Sequence, residues 1–497
     1  MNRRNIAVIG LLVPLLTAIF APSAARSDLT DASILFACAV GLTLAWWARS
    51  HSESVRRSPL LVPAIMSCAF MASFIWQTPT PAGWSTAIGF VALLSCGAAL
   101  SELIDHPEGR INLLRCLLTA MAVLSLHAIA QRAYLLGWLH EAAESLHPEV
   151  FSNEATPFLQ SQRARSTFGQ ANGLGAACAL TLPLALAMRR TGIAVLIAAA
   201  LISSESAGGL LASTVGVSLY LTGLPTRQHR RLGWIVVGVG ALGAGLLVMN
   251  LLGWMHAEWL SRPARTAAMR IDYWSAALRA VADSWPSGIG LGVYEATADR
   301  YSTPTQSFSR LPHNAYLGWV VEMGWLGGVM VALVLGSVIR AFVRSKAEQH
   351  SPRQQPFSPM VPLVAALALA VLLGIEGRIA LFFVPFDSPF LHRSAAFILP
   401  LGMLFVISTR LGRHNSHPDY DLNIRHAARA GLAAVCLHAA FDIDYHVSGV
   451  VALAAIAWAL LGREPSQSKT RHEPLLFTAI TAGLALWGAA VCLTMKG

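Results

Sequence analysis

The chain has 497 residues, of which 55% are hydrophobic and only 12% are charged. This composition lies outside the range of soluble globular proteins and indicates a membrane protein. A net charge of +10 would suggest nucleic-acid binding in a soluble protein, but basic loops facing anionic lipid explain it here, so we expect no nucleic-acid partner.

Apolar segments long enough to cross a bilayer follow one another along almost the whole chain. A hydrocarbon core about 30 Å thick needs about 20 apolar residues per helix. By this measure the sequence predicts an all-α polytopic membrane protein with about 12–15 transmembrane helices. The predicted spans are 5–22, 31–48, 59–76, 83–104, 111–131, 171–188, 190–204, 207–224, 232–254, 314–343, 359–376, 394–409, 426–441, 447–462 and 474–493.

The first span has two interpretations. Arg3 and Arg4, an apolar run and the small residues of Ala21–Ala25 resemble a secretory signal with a cleavage site. Because many further spans follow, we expect an uncleaved signal-anchor helix instead. Asp28 lies outside the cytoplasm under either interpretation.

Basic residues collect in alternate loops between the spans, as at Arg189/Arg190 and Arg340/Arg344. Basic loops stay in the cytoplasm, so the two long intervening loops are expected to face outward. The predicted organisation is then N-terminal transmembrane helices at 1–131, a first outer loop at 132–171, transmembrane helices at 172–254, a large outer loop at 255–313 and C-terminal transmembrane helices at 314–497.

The large outer loop contains a predicted amphipathic helix that would lie at the membrane surface. Pro286 and the run Gly288–Gly292 then predict a flexible turn. Long loops in compact proteins usually carry function, so we expect this loop to do so. The apolar residues at helical spacing are Ile271, Trp274, Leu278 and Val281.

Polar residues from several distant segments are placed on the same outer side by this topology. If the helices form a bundle, these side chains can line a single cavity. The set comprises Arg163, Arg165, Arg265, Arg270, His313, Asn314, Glu376, Arg378, Asp387, His392, Asp442, Asp444 and His446.

Arginines and a histidine at an outer membrane surface suit the displacement of a diphosphate leaving group. Guanidinium groups grip phosphate oxygens bidentately, and a histidine can take the proton of an attacking hydroxyl. His313 follows Pro312 and is predicted to begin a helix, whose positive dipole end disfavours imidazolium. We therefore expect a neutral general base at His313. Arginines would stabilise the phosphate charge by about 3 kcal/mol if they compare with one oxyanion-hole donor.

Three motifs resemble the O-antigen ligase and polymerase superfamily, which also contains the protein O-oligosaccharyltransferases. The late segment His438-Ala-Ala-Phe441-Asp442-Ile-Asp444 resembles a helical hairpin of ligase-like members, and the resemblance covers about 160–460. The three motifs are Arg163-Ala-Arg165-Ser-Thr-Phe-Gly-Gln-Ala-Asn172, Arg270 with Trp274 ahead of Gly288–Gly292, and Pro312-His313-Asn314-x-x-Leu317-x-x-x-x-Glu322-x-Gly324-x-x-Gly327.

The resemblance implies a glycosyltransferase that needs neither metal nor cofactor and builds lipopolysaccharide or another surface polysaccharide. It would act at the periplasmic face of the bacterial inner membrane, so both outer loops would be periplasmic and the larger one catalytic. The donor would be an undecaprenyl-diphosphate-linked glycan. The acceptor hydroxyl would belong to lipid A core, a growing glycan or a protein, and membrane lipid would surround the helices.

The resemblance also implies roles for individual residues. His313 corresponds to the catalytic base, and Arg270 with Arg163 or Arg165 corresponds to the diphosphate ligands; Arg270 thereby also counts as catalytic. Members often carry a Ser-Arg-Gly stretch where this chain has Ser203–Gly209 without arginine, which leaves the donor sugar unassigned. Arg265 is a further candidate diphosphate ligand, and the candidate supporting residues are Asn314, Glu322, His438, Asp442 and Asp444.

Other functions remain open from the sequence. Ligases and polymerases share the leaving group and differ only in the attacking hydroxyl. A transporter or flippase of lipid-linked glycan would show internal repeats and polar groups at the midplane, whereas we find no convincing repeat and polar groups at one face. Asp442, Asp444 and His446 could form a divalent-metal site, but we expect none. A purely structural scaffold is a last alternative, and His127 is expected to point inward without an assigned role.

Overall fold

The computed structural model describes residues 3–20, 37–45, 80–104, 107–135, 163–168, 170–255, 257–303, 307–343, 419–442 and 447–461, with a few isolated positions. Within these ranges the protein is helical and contains no strand, as the sequence predicted. The predicted spans at 359–376, 394–409 and 474–493, and nearly all of 59–76, lie outside the described residues.

Most helices lie within a few residues of the predicted spans, but the helices predicted at 232–254 and 426–441 begin earlier, at Arg227 and Asp419. Residues 37–45 are also helical, a π-helical turn at Gln131–Leu135 extends α3, and Ser166–Phe168 form a 3₁₀ turn. The helices are α1 Arg3–Phe20, α2 Pro81–Leu103, α3 Pro107–Ala130, α4 Ala171–Ala187, α5 Thr191–Ser204, α6 Ala207–Gly223, α7 Arg227–Leu251, α8 Glu258–Ser284, α9 Val293–Tyr301, α10 Ala315–Met323, α11 Trp325–Val343, α12 Asp419–Ala439 and α13 Ser448–Leu461.

Three helices in the described part are long and apolar enough to cross a membrane by length and composition. They span Glu108–Ala133, Arg227–Leu251 and Trp325–Phe342. Several shorter apolar helices, among them α4, α5 and α6, lie elsewhere in the described part of the chain. These segments agree with a membrane protein.

Small residues let the central helix α4 approach its neighbours closely. A Cβ atom on Gly209 of α6 would lie 2.7 Å from the Cα atom of Gly175 in α4. On the other side, a Cβ atom on Gly431 of α12 would lie 2.3 Å from the carbonyl oxygen of Leu180. Close backbone approach at glycine is a common packing mode of membrane helices. It holds α6 and α12 against α4, so the loops at their ends come together.

The predicted span at 314–343 is two helices, not one, and the break falls at Gly324. This residue has φ +59°, and a Cβ atom on it would lie 1.9 Å from the carbonyl oxygen of Pro286. The same carbonyl accepts a hydrogen bond from the backbone N–H of Trp325 at 3.0 Å. A side chain would therefore prevent the turn that follows α8 from docking at the junction of α10 and α11.

The predicted amphipathic helix exists as α8, but its four apolar residues do not share one environment. Ile271 and Leu278 are 61% and 58% exposed. Trp274 instead lies 6.2 Å from the ring of Phe441, and Val281 packs on a small buried cluster with α9 and α10. The four residues cover a broad arc of the helix, so one edge faces the protein and the other faces outward.

The glycine-rich turn after α8 is held by hydrogen bonds, where the sequence suggested flexibility. Gly290 donates its backbone N–H to the carbonyl oxygen of Glu322, and Gly292 donates to the Glu322 carboxylate at 3.0 Å. Thr80, at the start of α2, donates its N–H to the carbonyl oxygen of Leu291 at 2.9 Å. These contacts fix the turn between α8 and α9 to α2, which precedes it in the chain, and to α10, which follows it.

Candidate active site

The centre of the site is a contact between His313 and Asp442, which lie 129 residues apart in the chain. Nδ1 of His313 lies 3.1 Å from Oδ1 of Asp442. The Asp442 side chain is only 2% exposed, whereas that of His313 is 28% exposed. The backbone reinforces the contact, because the N–H of Ala315 donates to the carbonyl oxygen of Asp442 at 2.9 Å. One side-chain contact and one backbone hydrogen bond thus connect the segment after α12 to the start of α10.

His313 does not begin a helix, contrary to the sequence prediction. Helix α10 begins at Ala315, and Asn314 caps it by accepting the N–H of Leu317 at 3.0 Å. His313 precedes the cap with φ +47°, a left-handed conformation that is uncommon in residues other than glycine. Such conformations persist where surrounding contacts enforce them. The histidine is therefore oriented by Asp442 and not by the first turn of a helix.

Asp442 lies beside an arginine and two histidines. Nη2 of Arg270, from α8, lies 3.8 Å from Oδ2 of Asp442, and Arg270 is 9% exposed. Burial by itself raises the pKa of Asp442. The hydrogen bond and charge of His313, with further charge from His438 and Arg270, outweigh burial and hold that pKa well below its usual range. Asp442 is therefore an anion that links the imidazole to an arginine.

This contact decides which imidazole nitrogen can meet a substrate. A carboxylate accepts hydrogen bonds only, so Nδ1 of His313 carries the proton toward Asp442 and Nε2 is left as the basic atom. The ring of Tyr273, also on α8, lies 5.5 Å from the imidazole ring at a tilt of 34°. One face of the histidine is thus covered by an aromatic side chain that the sequence did not single out.

Arg163 is fixed by oxygen atoms from two elements. Its Nε donates to the carbonyl of Ser204 at 2.8 Å, and its Nη2 donates to Asn172 Oδ1 at 3.0 Å and to the Glu205 carbonyl at 3.2 Å. Burial, together with the charge of Arg262, lowers its pKa to about 10, so the guanidinium stays charged at neutral pH. The negative charge of Asp442 raises the pKa of Arg163. Arg163 therefore lies within electrostatic range of the His313–Asp442 pair.

Arg165, the other candidate in the first arginine motif, is held through its backbone. The side-chain oxygen of Gln131 accepts the N–H groups of Arg165 at 3.1 Å and of Ser166 at 2.8 Å. Burial lowers the pKa of the Arg165 guanidinium. The sequence left Arg163 and Arg165 as alternatives, and the geometry assigns them different surroundings.

A polar network at the end of α3 holds this arginine segment, and the sequence predicted no role for it. Nε2 of Gln131 lies 3.5 Å from Nε2 of His127, whose Nδ1 lies 3.1 Å from Oγ of Ser166. Ser166 has φ +49° and donates its hydroxyl to the carbonyl of Leu124 at 3.1 Å. The i, i+4 spacing of His127 and Gln131 on an apolar helix was the sequence signal for it. Gln131 opens a π-helical turn, a feature common at functional sites.

A surface ion-pair bridge borders Arg163, and it too was missed. The Glu205 carboxylate contacts Nη2 of Arg132 at 2.8 Å through Oε1 and Nη1 of Arg262 through Oε2. Glu205 stands in the stretch that lacks the arginine found in many relatives. The acidic residue in the turn between α5 and α6 was the available signal, but its two partners lie far away in sequence.

The remaining predicted site residues lie in different surroundings. Arg265 is exposed on α8, so its role as a diphosphate ligand stays a prediction. Glu322 is buried and caps the turn before α9. His438 is buried against Gly208 of α6. Asp444 lies outside the described residues, within which no group of three or more His, Cys, Asp or Glu could hold a metal ion.

The comparison with known protein families agrees with the resemblance read from the motifs. Residues 192–332 match the family model described as O-Antigen ligase. This region contains Arg270 and His313 but neither Arg163 nor Asp442. The match implies a membrane glycosyltransferase of the O-antigen ligase or polymerase type, with a lipid-linked glycan and an acceptor as its partners. No curated protein and no solved structure matches the chain.

Proposed function

We propose that the protein transfers a glycan from a polyprenyl-diphosphate donor to an acceptor hydroxyl at the periplasmic face of the inner membrane. The resemblance implies undecaprenyl diphosphate as the carrier. The observation that carries the proposal is the pairing of His313 with Asp442 at 3.1 Å, beside the buried Arg270. A base, its orienting carboxylate and a cation thus come from three distant parts of the chain.

His313 acts as the general base in this proposal. Its Nε2 takes the proton of the acceptor hydroxyl while the acceptor oxygen forms a bond to the anomeric carbon of the donor sugar. Asp442 holds the ring in the correct tautomer and stabilises the imidazolium that forms, as in other Asp–His pairs. General base catalysis of this kind contributes about 10²–10⁴-fold to the rate.

The arginines act on the leaving group. As the bond between the anomeric carbon and the phosphate oxygen breaks, the electron pair stays on the lipid diphosphate. Arg270 and Arg163 would stabilise this charge, and each lies within electrostatic range of Asp442. Charge stabilisation is assigned to guanidinium groups, so the proposal requires no metal ion. The polyprenyl chain of the donor would lie in the membrane lipid around the helices, with its diphosphate at this face.

The test is reconstitution of the purified protein with diphosphate-linked glycan and lipid A core, growing glycan or protein in turn. His313→Gln is expected to lower kcat by about 10²–10⁴-fold, because no other group replaces the base. His229→Gln, at an exposed position of α7, is the matched control and should leave kcat unchanged. The proposal fails if His313→Gln turns over within threefold of wild type. In cells, an enzyme is indicated if His313→Gln loses glycan transfer but the donor still reaches the outer side. Loss of donor delivery itself would indicate a flippase.

A further inference from the structure

One exposed carboxylate joins three separate elements at the edge of the site. Glu205 lies in the turn between α5 and α6, Arg132 in the π-helical turn after α3, and Arg262 near the start of α8. Each arginine contacts a different carboxylate oxygen. Two guanidinium groups on the two oxygens of one carboxylate form the arrangement that would bind the carboxylate or phosphate of a ligand.

The side chains of this bridge are accessible, so the internal carboxylate can be exchanged. Arg132, Glu205 and Arg262 have side chains that are 38%, 31% and 46% exposed. Exposed ion pairs contribute little to stability because water and salt screen them. A ligand anion that enters therefore competes with a weakly held side chain.

Positive charge exceeds negative charge at this place. Arg163 and Arg165 act electrostatically on one another, and the charge of Arg262 also reaches Arg163. Two guanidinium groups thus contact the Glu205 carboxylate, and the charges of Arg163 and Arg165 lie nearby. Such an excess attracts anions and favours their binding.

We propose that Arg132 and Arg262 form an anion subsite that Glu205 occupies when no substrate is bound. The ligand is an anionic group that presents two oxygen atoms to the arginines. It is either a phosphate of the lipid carrier's diphosphate or the carboxylate of an acidic sugar of the glycan. The inference rests on the proposed function for the identity of this substrate. It adds that the carboxylate of Glu205 must swing away before the ligand can bind there.

Movement of the Glu205 side chain leaves the rest of the site in place. Arg163 is held by the backbone carbonyl of Glu205 and by Ser204 and Asn172, none of which involves the Glu205 carboxylate. The backbone of Glu205 is fixed in the turn that ends α5, where its N–H donates to the carbonyl of Ile202. Exchange can therefore occur at the subsite without displacing Arg163.

The experiment measures binding of inorganic pyrophosphate and of glucuronate to the purified full-length protein by calorimetry. Glu205→Gln removes the competing charge and should tighten binding of at least one probe by about threefold to tenfold. Arg132→Gln and Arg262→Gln should weaken binding of the same probe. Arg300→Gln, an exposed position of α9, is the matched control and should bind like wild type.

The two probes distinguish the sources of the anion. Tighter binding of pyrophosphate by Glu205→Gln assigns the subsite to the carrier diphosphate, and tighter binding of glucuronate alone assigns it to an acidic sugar. The inference is overturned if Glu205→Gln melts like wild type and binds both probes no more tightly than wild type does. If Glu205→Gln melts at a lower temperature, the two arginine variants decide the test instead. The inference is then overturned if Arg132→Gln and Arg262→Gln bind both probes with the affinity of the wild type. The effect of His313→Gln on turnover is independent of all these results.

Discussion

The replacement Asp442→Asn tests the central pair most directly. The carboxylate is almost completely buried and contacts His313 Nδ1 at 3.1 Å. An asparagine amide can donate a hydrogen bond to Nδ1 and so place the imidazole proton on Nε2, where it blocks the base. In enzymes with the same Asp–His arrangement this replacement lowers kcat by about 10⁴-fold. We therefore expect a loss of about 10³–10⁴-fold, equivalent to about 4–5 kcal/mol in activation free energy.

The same replacement should also lower stability. Arg270, 3.8 Å away and nearly buried, would lose its counter-ion, which costs about 3 kcal/mol for a buried pair. Because the folded-state pKa of Asp442 lies below its usual value, its contribution to stability is present above about pH 4 and is lost as pH falls further. The stability difference between wild type and Asp442→Asn should therefore shrink below about pH 4.

The assay combines steady-state transfer of a diphosphate-linked glycan with thermal unfolding between pH 3 and pH 7. Asp283→Asn, an exposed carboxyl on α8, is the control for loss of one acidic group and should match wild type in both measurements. Turnover of Asp442→Asn within tenfold of wild type would refute the assigned role. A stability difference that does not change between pH 3 and pH 7 would contradict the low pKa of Asp442.

Two further predictions concern the residues that position the site. Gln131→Ala leaves the backbone N–H groups of Arg165 and Ser166 without their acceptor, so donor KM should rise about fivefold while kcat changes less than about twofold. Steady-state kinetics decide this, and an equal fall in kcat would contradict a positioning role. Gly324→Ala would force a Cβ atom to 1.9 Å from a carbonyl oxygen at positive φ and should cost about 2 kcal/mol or more. Gly328→Ala meets no atom within 4 Å and is the control; equal melting temperatures would exclude the close packing at Gly324.

The amino-acid sequence by itself determined where most helices of the described part lie and which family the chain resembles. Apolar runs of sufficient length must be helical in a bilayer, because backbone groups in lipid must bond within the segment. Hence α4, α5 and α6 lie within a residue or two of their predicted spans. The motif around His313 also sufficed to indicate the protein family, and the family comparison supports it.

Only the tertiary structure decided which residues meet. Periodicity places a residue on a helix face but does not name the neighbour that the face contacts. The sequence therefore offered His438 and Asp442 together as residues that orient His313 or the acceptor, and the packing of α12 places Asp442 at Nδ1 of His313. Gln131 and Glu205 act through partners 34 to 73 residues away, which no local pattern specifies. The break at Gly324 likewise depends on Pro286 docking there. These features arise from contacts between distant segments, whose geometry is fixed when the helices pack together.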